Sequence, residues 1–442
     1  MTSPDLITKL TELQRRAQRG MLLGLDRVEE GLAALSAPHA HLEAVHVAGT
    51  NGKGSTAAMV EAIARAAGLR TGLYTSPHLC RFAERIQING APIDDAAFDR
   101  ALEAVLTRCR DDLTFFESLT IAALHAFREA EVDLAILEVG LGGRLDATNV
   151  IAAPIATAIT SIDLEHTAIL GDTLAAIARE KAGILKPDTP VVLGPLAKEA
   201  DKTITEIAEQ VGARPILRVR RRSAWRPGFI QAISHRFGLG IRGPYTRDEI
   251  RVAVALPGRH QVENACVAVG VAHYLKTRWP ERDWEDATRE GLCRVKWPGR
   301  TEIIQKDGVS VILDCAHNPA GMDQLWWTLV DDRFGIGPRD PARTALVFGA
   351  LADKGFRDML RSIAPIAARR YYTEPKGRAP APLDELARLA PGVAVPAPRD
   401  AVDRALAESR PGDTVIVTGS IYLVGEVRAA LLQIDADPII AL

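Results

Sequence analysis

Val45-His46-Val47-Ala48-Gly49-Thr50-Asn51-Gly52-Lys53-Gly54-Ser55-Thr56 decides the fold of this chain. Residues with β preference run into a glycine-rich turn, and Ala57 to Ala67 then reads as a helix. Glycines let a backbone approach a polyphosphate, and N–H groups at a helix start point toward it. Lys53 is placed to set its ammonium among terminal phosphates, and Ser55 to offer a hydroxyl to Mg2+. The strict pattern G-x-x-x-x-G-K-[ST] is not met. Val47 stands where the first glycine belongs, and Gly54 separates the lysine from the hydroxyl. The bland alternative is a glycine turn that only joins a strand to a helix.

The chain of 442 residues has room for about two or three domains. A formal net charge of −2 argues against a general electrostatic hold on nucleic acid. The start of the chain lacks the apolar core of a secretory signal, and no apolar run suits a membrane helix. Cys80, Cys109, Cys266, Cys293 and Cys315 form no C-x-x-C pair and read as free thiols in a reducing compartment. These features predict a cytoplasmic protein with neither nucleic-acid nor membrane partners; a monomer is expected, although composition does not set the oligomeric state.

Asp5 to Ala34 predicts two helical pieces bent around Gly20 and Gly24. Strands are expected at Arg70–Thr75, Val132–Glu138, Ile155–Ile162, Val191–Leu193 and Pro215–Val219, with a hairpin around Asn89-Gly90. Helices fall between them, at Asp94–Cys109, Phe116–Ala130, Thr173–Ile184 and Lys198–Val211. The alternation predicts an α/β fold with a doubly wound, mostly parallel sheet. Phe229 to Ala255 looks like short antiparallel strands, and His260–Thr277 and Trp284–Leu292 like helices. Trp297-Pro298-Gly299-Arg300 marks the boundary between a first domain, 1–296, and a second, 297–442. Beyond it the strand–helix pattern restarts as a smaller Rossmann-like α/β unit, with strands at Val309–Asp314, Ala345–Phe348, Arg370–Thr373 and Thr414–Thr418.

Glu138 ends a strand apolar enough to be buried on both faces, at the sheet edge where α/β ligands gather. There it serves either to end the strand or to hold Mg2+ against ATP phosphates. His166 follows another strand end and is either structural or a ligand in the same cleft. Arg218-Val219-Arg220-Arg221-Arg222 reads as a solvated face, and at least one of Trp326 and Trp327 as core.

Several boxes in chain order resemble the dihydrofolate synthase/folylpolyglutamate synthase family of the Mur ligase superfamily. They are the Gly49–Ser55 loop, Ser76-Pro77-His78-Leu79, Thr114-Phe115-Phe116-Glu117, Glu138 to Asn149 and Glu180-Lys181-Ala182-Gly183. His260-Gln261-Val262-Glu263-Asn264-Ala265, Asp314 to Pro319 and Thr418 to Gly425 complete the set. Gly20 to Val28 resembles a segment of bifunctional members, which use dihydropteroate as well as folates.

The resemblance implies an ATP-dependent ligase that forms an acyl phosphate on dihydropteroate or a reduced folate and passes it to L-glutamate. It implies that Gly49, Thr50, Asn51, Gly52, Lys53, Gly54, Ser55 and Thr56 bind ATP, with Asn264 from the first domain. Arg300 and Asp314 of the second domain would join them on domain closure. Two Mg2+ sites are implied, drawing on Ser55, Ser76, Glu138, His166 and Lys181, the last carbamylated. Lys53, Glu138, His166 and Lys181 are the implied catalytic set. The pterin falls to Thr114, Phe115, Phe116, Glu117, Leu145, Asp146 and Ala147, and glutamate to His317 and Ser420. Where the family has Asp-His-Thr, this chain has Glu165-His166-Thr167, which bears on fine tuning of the metal ligand. Rival readings are another Mur-type ligase with a UDP-muramyl substrate, and a nucleotide-binding switch without ligase activity. Against the first, a nucleotide loop that begins by residue 49 leads one to expect no uridine-binding domain ahead of it.

Overall fold

A computed structural model describes residues 4–17, 20, 22, 24–221, 229–235, 238–242, 250–338 and 340–437. The chain divides into two compact units. Unit 1 takes Met1–His78, Phe82–Ala255 and Gln261–Val295, and unit 2 takes Leu79–Arg81, Leu256–His260 and Lys296–Leu442.

Unit 1 is built on β1 (Ala44–Ala48), β2 (Thr71–Tyr74), β3 (Ile86–Ile88), β4 (Ala91–Pro92), β5 (Leu134–Glu138) and β6 (Ala156–Ile159). It continues through β7 (Val191–Leu193), β8 (Ile216–Arg221), β9 (Phe229–His235), β10 (Gly238–Arg242) and β11 (Ile250–Val252). These form one sheet in the order β11-β10-β9-β8-β7-β6-β1-β5-β2-β3-β4. Pairing is parallel from β2 across to β9 and antiparallel at both rims. The expected antiparallel strands after Phe229 are present, and β9 joins them to the parallel sheet through β8.

β1 and β5 are buried at every residue, as central strands covered on both faces must be. On one face Ala48, Ile159, Val191 and Leu193 meet Ile177 and Ala178 of helix Leu174–Ala182 and Ile204 and Ala208 of helix Lys198–Val211. The hairpin turns at Asn89 and Gly90, with φ of 51° and 77°, the left-handed pair that a two-residue turn requires. The two N-terminal helices, Pro4–Ala17 and Asp26–Ala34, flank the expected bend. Met21 and Leu23 of that bend, and Arg222 of the basic run, lie outside the described residues. Arg218 pairs with Asp201 at 2.9 Å. No helix among the described residues is long and apolar enough to cross a membrane, and all five cysteines are free thiols.

Unit 2 carries β12 (Glu302–Lys306), β13 (Val309–Asp314), β14 (Thr344–Phe348), β15 (Arg369–Tyr372), β16 (Val393–Ala394) and β17 (Thr414–Thr418), ordered β12-β13-β17-β14-β15-β16. Only β12 runs antiparallel to its neighbour. Alternate residues feed two cores. Ile312, Leu346, Phe348 and Ile416 face one, and Val311, Leu313, Val347, Val415 and Val417 the other. Trp326 packs against the first core, whereas Trp327 is 53% exposed. Leu79 packs on the second, and Cys80 Sγ donates to Gly425 O at 3.5 Å, which explains why Leu79–Arg81 belong to this unit. Gly425 must lack a side chain there, because a Cβ would lie 2.2 Å from Leu79 O.

Ile136 is fully buried on β5 between Val45 and Leu73. Ile136→Ala should cost about 2–5 kcal/mol. Urea unfolding with an unchanged m-value would show it, and an unaltered midpoint would contradict this placement.

Candidate active site

β1, β2, β5 and β6 end at one edge of the parallel sheet, with Val47 opposite Glu138 and Ala48 opposite Ile159. Gly49 leaves β1 at that edge with φ of 151° and a Cβ position 1.9 Å from Thr160 Oγ1, so only glycine fits. Gly52, at φ 84°, reverses the chain, and the helix Lys53–Ala66 begins at the next residue. The helix therefore starts four residues ahead of the expected Ala57, with Gly54 inside it. The N–H groups of its first turn have no intrahelical partners and face the loop, the arrangement that accepts phosphate oxygens.

The loop after β6 braces this cradle. Thr50 N donates to Ser161 O at 2.8 Å, Thr160 Oγ1 to Asn51 O at 2.6 Å, and Asp163 N to Thr50 Oγ1 at 3.0 Å. A second brace comes from helix Arg259–Arg278. Gln261 Nε2 donates to Ser55 Oγ at 3.2 Å, and Asn264 Nδ2 donates to Gln261 Oε1 at 3.0 Å. A Cβ at Gly52 would lie 2.4 Å from Asn264 Oδ1. Asn264 thus lies against the loop. Gln261 is a residue that sequence reasoning quoted but gave no role.

Two lysines converge on one carbonyl. Lys53 Nζ donates to Gly49 O at 3.0 Å and Thr50 O at 3.1 Å, and Lys181 Nζ to Gly49 O at 2.8 Å. Lys181 is 5% exposed near the end of helix Leu174–Ala182. Burial, then the charge of Lys53, lowers its pKa to about 7, with Glu165, Asp146 and Asp163 opposing. An amine that is neutral near pH 7 is nucleophilic enough to take up CO2, where an ammonium is not. Glu138, buried at the end of β5, accepts from Ser76 N at 3.0 Å. His166 is exposed, at φ 50° ahead of the short helix Thr167–Leu170. Among the described residues no three His, Cys, Asp or Glu side chains gather as a cage. A divalent ion here would draw on Glu138, hydroxyls and phosphate oxygens, an oxygen-rich set that suits Mg2+.

The segments implied for the pterin divide by role. Thr114 and Glu117 form a capping box on helix Phe115–Glu129, with Thr114 N donating to Glu117 Oε2 at 2.7 Å and Glu117 N to Thr114 Oγ1 at 3.2 Å. Glu117 Oε1 also accepts from Arg27 at 2.7 and 3.1 Å. Phe115 is buried against Phe82 and under the Arg85 guanidinium, while Phe116 is half-buried against Tyr74 and the Gly140 backbone. Asp146 is buried and accepts from Leu141 N at 2.9 Å and Thr148 N at 3.0 Å, leaving half-buried Leu145 as the more open neighbour. The loop abuts the Lys181 helix, since Arg144 N donates to Glu180 O at 2.9 Å and Asn149 Nδ2 to Gly183 O at 3.1 Å.

In unit 2 the implied residues meet at the ends of β13 and β17, where Asp314 pairs with Thr418. Asp314 accepts from Thr301 N, of the residue next to Arg300, at 2.8 Å and from Ala316 N at 2.9 Å. Burial pushes its pKa up, with the Arg300 charge opposing. His317 Nδ1 donates to Cys315 O at 2.9 Å, and Ser420 caps helix Ile421–Leu432.

The Mur ligase middle domain matches residues 47–272, and the Mur ligase glutamate ligase domain matches 299–421. The chain is 36% identical over 421 residues to a probable bifunctional folylpolyglutamate synthase/dihydropteroate synthase of Haloferax volcanii, of which it spans about half, 48%. It is 32% identical to the dihydrofolate synthase/folylpolyglutamate synthase of Bacillus subtilis, over 94% of this chain and 96% of that one. Among solved structures it resembles Escherichia coli FolC in complex with DHPP and ADP, with TM-score 0.82, 31% identity, and 97% and 98% of the two chains covered. It also resembles a bifunctional folylpolyglutamate synthase/dihydrofolate synthase with Mn, AMPPNP and L-glutamate bound, with TM-score 0.79, 33% identity and 93% and 95% coverage. Gly52→Ala should weaken ADP binding by at least roughly tenfold, because it strains φ and strikes Asn264. Calorimetry tests this, and parent-like affinity would contradict the loop geometry. Strand, loop, helix and both matched domains agree: the chain belongs to the Mur ligase family, in its dihydrofolate synthase/folylpolyglutamate synthase branch.

Proposed function

We propose that this chain is an ATP- and Mg2+-dependent amide ligase that adds L-glutamate to dihydropteroate, giving dihydrofolate, and to reduced folates, giving polyglutamates. The observation that carries the reading is the buried Lys181 amine 2.8 Å from Gly49 O, beside Lys53 on the same carbonyl. An ordinary nucleotide switch has no use for a second, neutralised lysine under its phosphate loop.

A carboxylate is a poor electrophile. Attack of its oxygen on the terminal phosphorus of ATP releases ADP and leaves an acyl phosphate. The glutamate amine then bonds to the acyl carbon, phosphate leaves, and the amine gives up a proton. The protein's work is to hold the reactants in line and to balance charge on the transferring phosphoryl oxygens. The Gly49–Thr56 backbone cradles the phosphates, and Lys53 swings from its loop carbonyls to the phosphoryl group. Ser55, Ser76, Glu138, His166 and a carbamylated Lys181 would hold divalent ions at two sites, and such ions would supply neutralisation of the phosphate charge. Gln261 aims the Ser55 hydroxyl, and Asn264 contacts ATP. Arg300 and Asp314 are assigned to the nucleotide, and His317 and Ser420 to glutamate. Phe116 and Leu145 give the pterin apolar surface. Glu117 and Asp146 shape that place without spending a hydrogen bond on it.

Incubation with dihydropteroate, ATP, Mg2+ and glutamate should yield a glutamylated product in step with ADP, and a reduced folate monoglutamate should do the same. ADP release without product would remove the ligase reading. Lys181→Ala should lower turnover by roughly 100-fold or more. Short carboxylates such as acetate should restore part of it, and a parent-like rate without additive would rule out a carbamate.

A further inference from the structure

His46 is fully buried on β1, three residues ahead of Gly49, and the chemistry above gives it no part. Its Nε2 lies 2.8 Å from Thr148 Oγ1, and Thr148 Oγ1 lies 2.5 Å from Asp146 Oδ1. The direction of these bonds follows from the groups themselves. A carboxylate only accepts, and Asp146 already gathers Leu141 N and Thr148 N. The Thr148 hydroxyl therefore spends its one proton on Asp146 and accepts from His46 Nε2–H. The remaining ring nitrogen then carries only a lone pair, and His46 Nδ1 is indeed a buried atom with no hydrogen-bond partner among the described residues. Burial, with a smaller push from Lys186, lowers the His46 pKa to about 3 and keeps the ring neutral. The tautomer is thereby set by its neighbours.

What this joins is informative. β1 runs directly into the phosphate loop, whereas Asp146 caps, and Thr148 lies in, the short 3-10 helix Ala147–Val150 that follows the loop after β5. β1 and β5 are already paired along their backbones up to Val47 and Glu138. Beyond Glu138 the β5 chain turns away through Gly140, Gly142 and Gly143, and the strand ladder no longer fixes it. His46 holds that departing segment through a side chain.

We infer that His46 is a positioning residue, which through Thr148 and Asp146 ties the Leu145–Ala147 segment to the strand carrying the nucleotide loop. The consequence is a fixed offset between the place of the pterin and the place of the phosphates. This rests on the proposed assignment of the pterin to Leu145–Ala147.

His46→Leu keeps an apolar filling without a donor, and His46→Gln restores a donor near the former Nε2. At saturating ATP, His46→Leu should raise KM for dihydropteroate roughly five- to tenfold, the loss expected for one buried hydrogen bond. ADP affinity by calorimetry should stay at the parent value, and His46→Gln should recover most of the KM. An unchanged KM in His46→Leu overturns the inference. So does His46→Gln behaving like leucine, or ADP affinity falling by the same factor as KM rises. Hydrogen exchange gives a readout that needs no substrate. Amides of residues 140–149 should exchange faster in His46→Leu than in the parent, with residues 49–56 unchanged, and equal exchange in both segments also overturns the inference. If the parent makes no glutamylated product, the ligase reading falls, while exchange still judges the tie. Thr148→Val breaks the same link from its other side and takes the place of His46→Leu if that variant fails to fold.

Discussion

Two lysine side chains sharing one backbone carbonyl is the constraint around which unit 1 is arranged. Lys53 and Lys181 both donate to Gly49 O, and two full positive charges that close in a buried place repel strongly. Burial, and after it the Lys53 charge, eases the conflict by lowering the Lys181 pKa to about 7. This works only while the carbonyl stays put. Gly49 lies close against Thr160, Thr50 and Asn51 are bonded to the β6 loop, and Ser55 is steadied from helix Arg259–Arg278 by Gln261. A loop made of glycine, the most permissive residue, is thus made rigid by its surroundings rather than by its own composition.

The parallel sheet delivers the other groups to the same edge. Register does most of this: Val47 stands opposite Glu138, so the acid emerges where the loop begins. Ser76 follows β2, which pairs with β5 on the other side, and its N–H bonds the Glu138 carboxylate. A mostly parallel sheet needs no special geometry to assemble such a set, since every strand end opens on the same rim. Unit 2 uses the same device on a smaller scale, gathering Asp314, His317 and Ser420 at the ends of two adjacent parallel strands.

Much of this was legible from residue pattern alone. Val191–Leu193, Lys198–Val211, Val309–Asp314 and Thr414–Thr418 occur with the expected bounds, because apolar runs and helical periodicity are local signals. The start of the helix at Lys53 was not, since Gly52 and Gly54 read as breakers until tertiary bonds fix the first as a left-handed cap. β12 was missed because it is an edge strand with Ile303 42% exposed, so no buried alternation marks it. Leu79–Arg81 look like an ordinary loop in the first half, and only long-range packing on Gly425 assigns them to unit 2. Within the site, the boxes name segments but not the duties inside them. Glu117 and Asp146 carry charge suited to a ligand, yet their oxygens are taken up by backbone N–H groups, Arg27 and Thr148. His46 passed as one more strand residue, because nothing in sequence shows which way a buried imidazole turns.

The bond between Arg27 and Glu117 reaches across 90 residues to link the start of helix Asp26–Ala34 to the start of helix Phe115–Glu129. One carboxylate there closes a helix end and neutralises a guanidinium. A shortened version of the protein that begins beyond Arg27 would leave that acid enclosed without its counter-charge, a costlier state than losing both together. Anyone trimming the leading helix for expression should therefore stop ahead of Asp26.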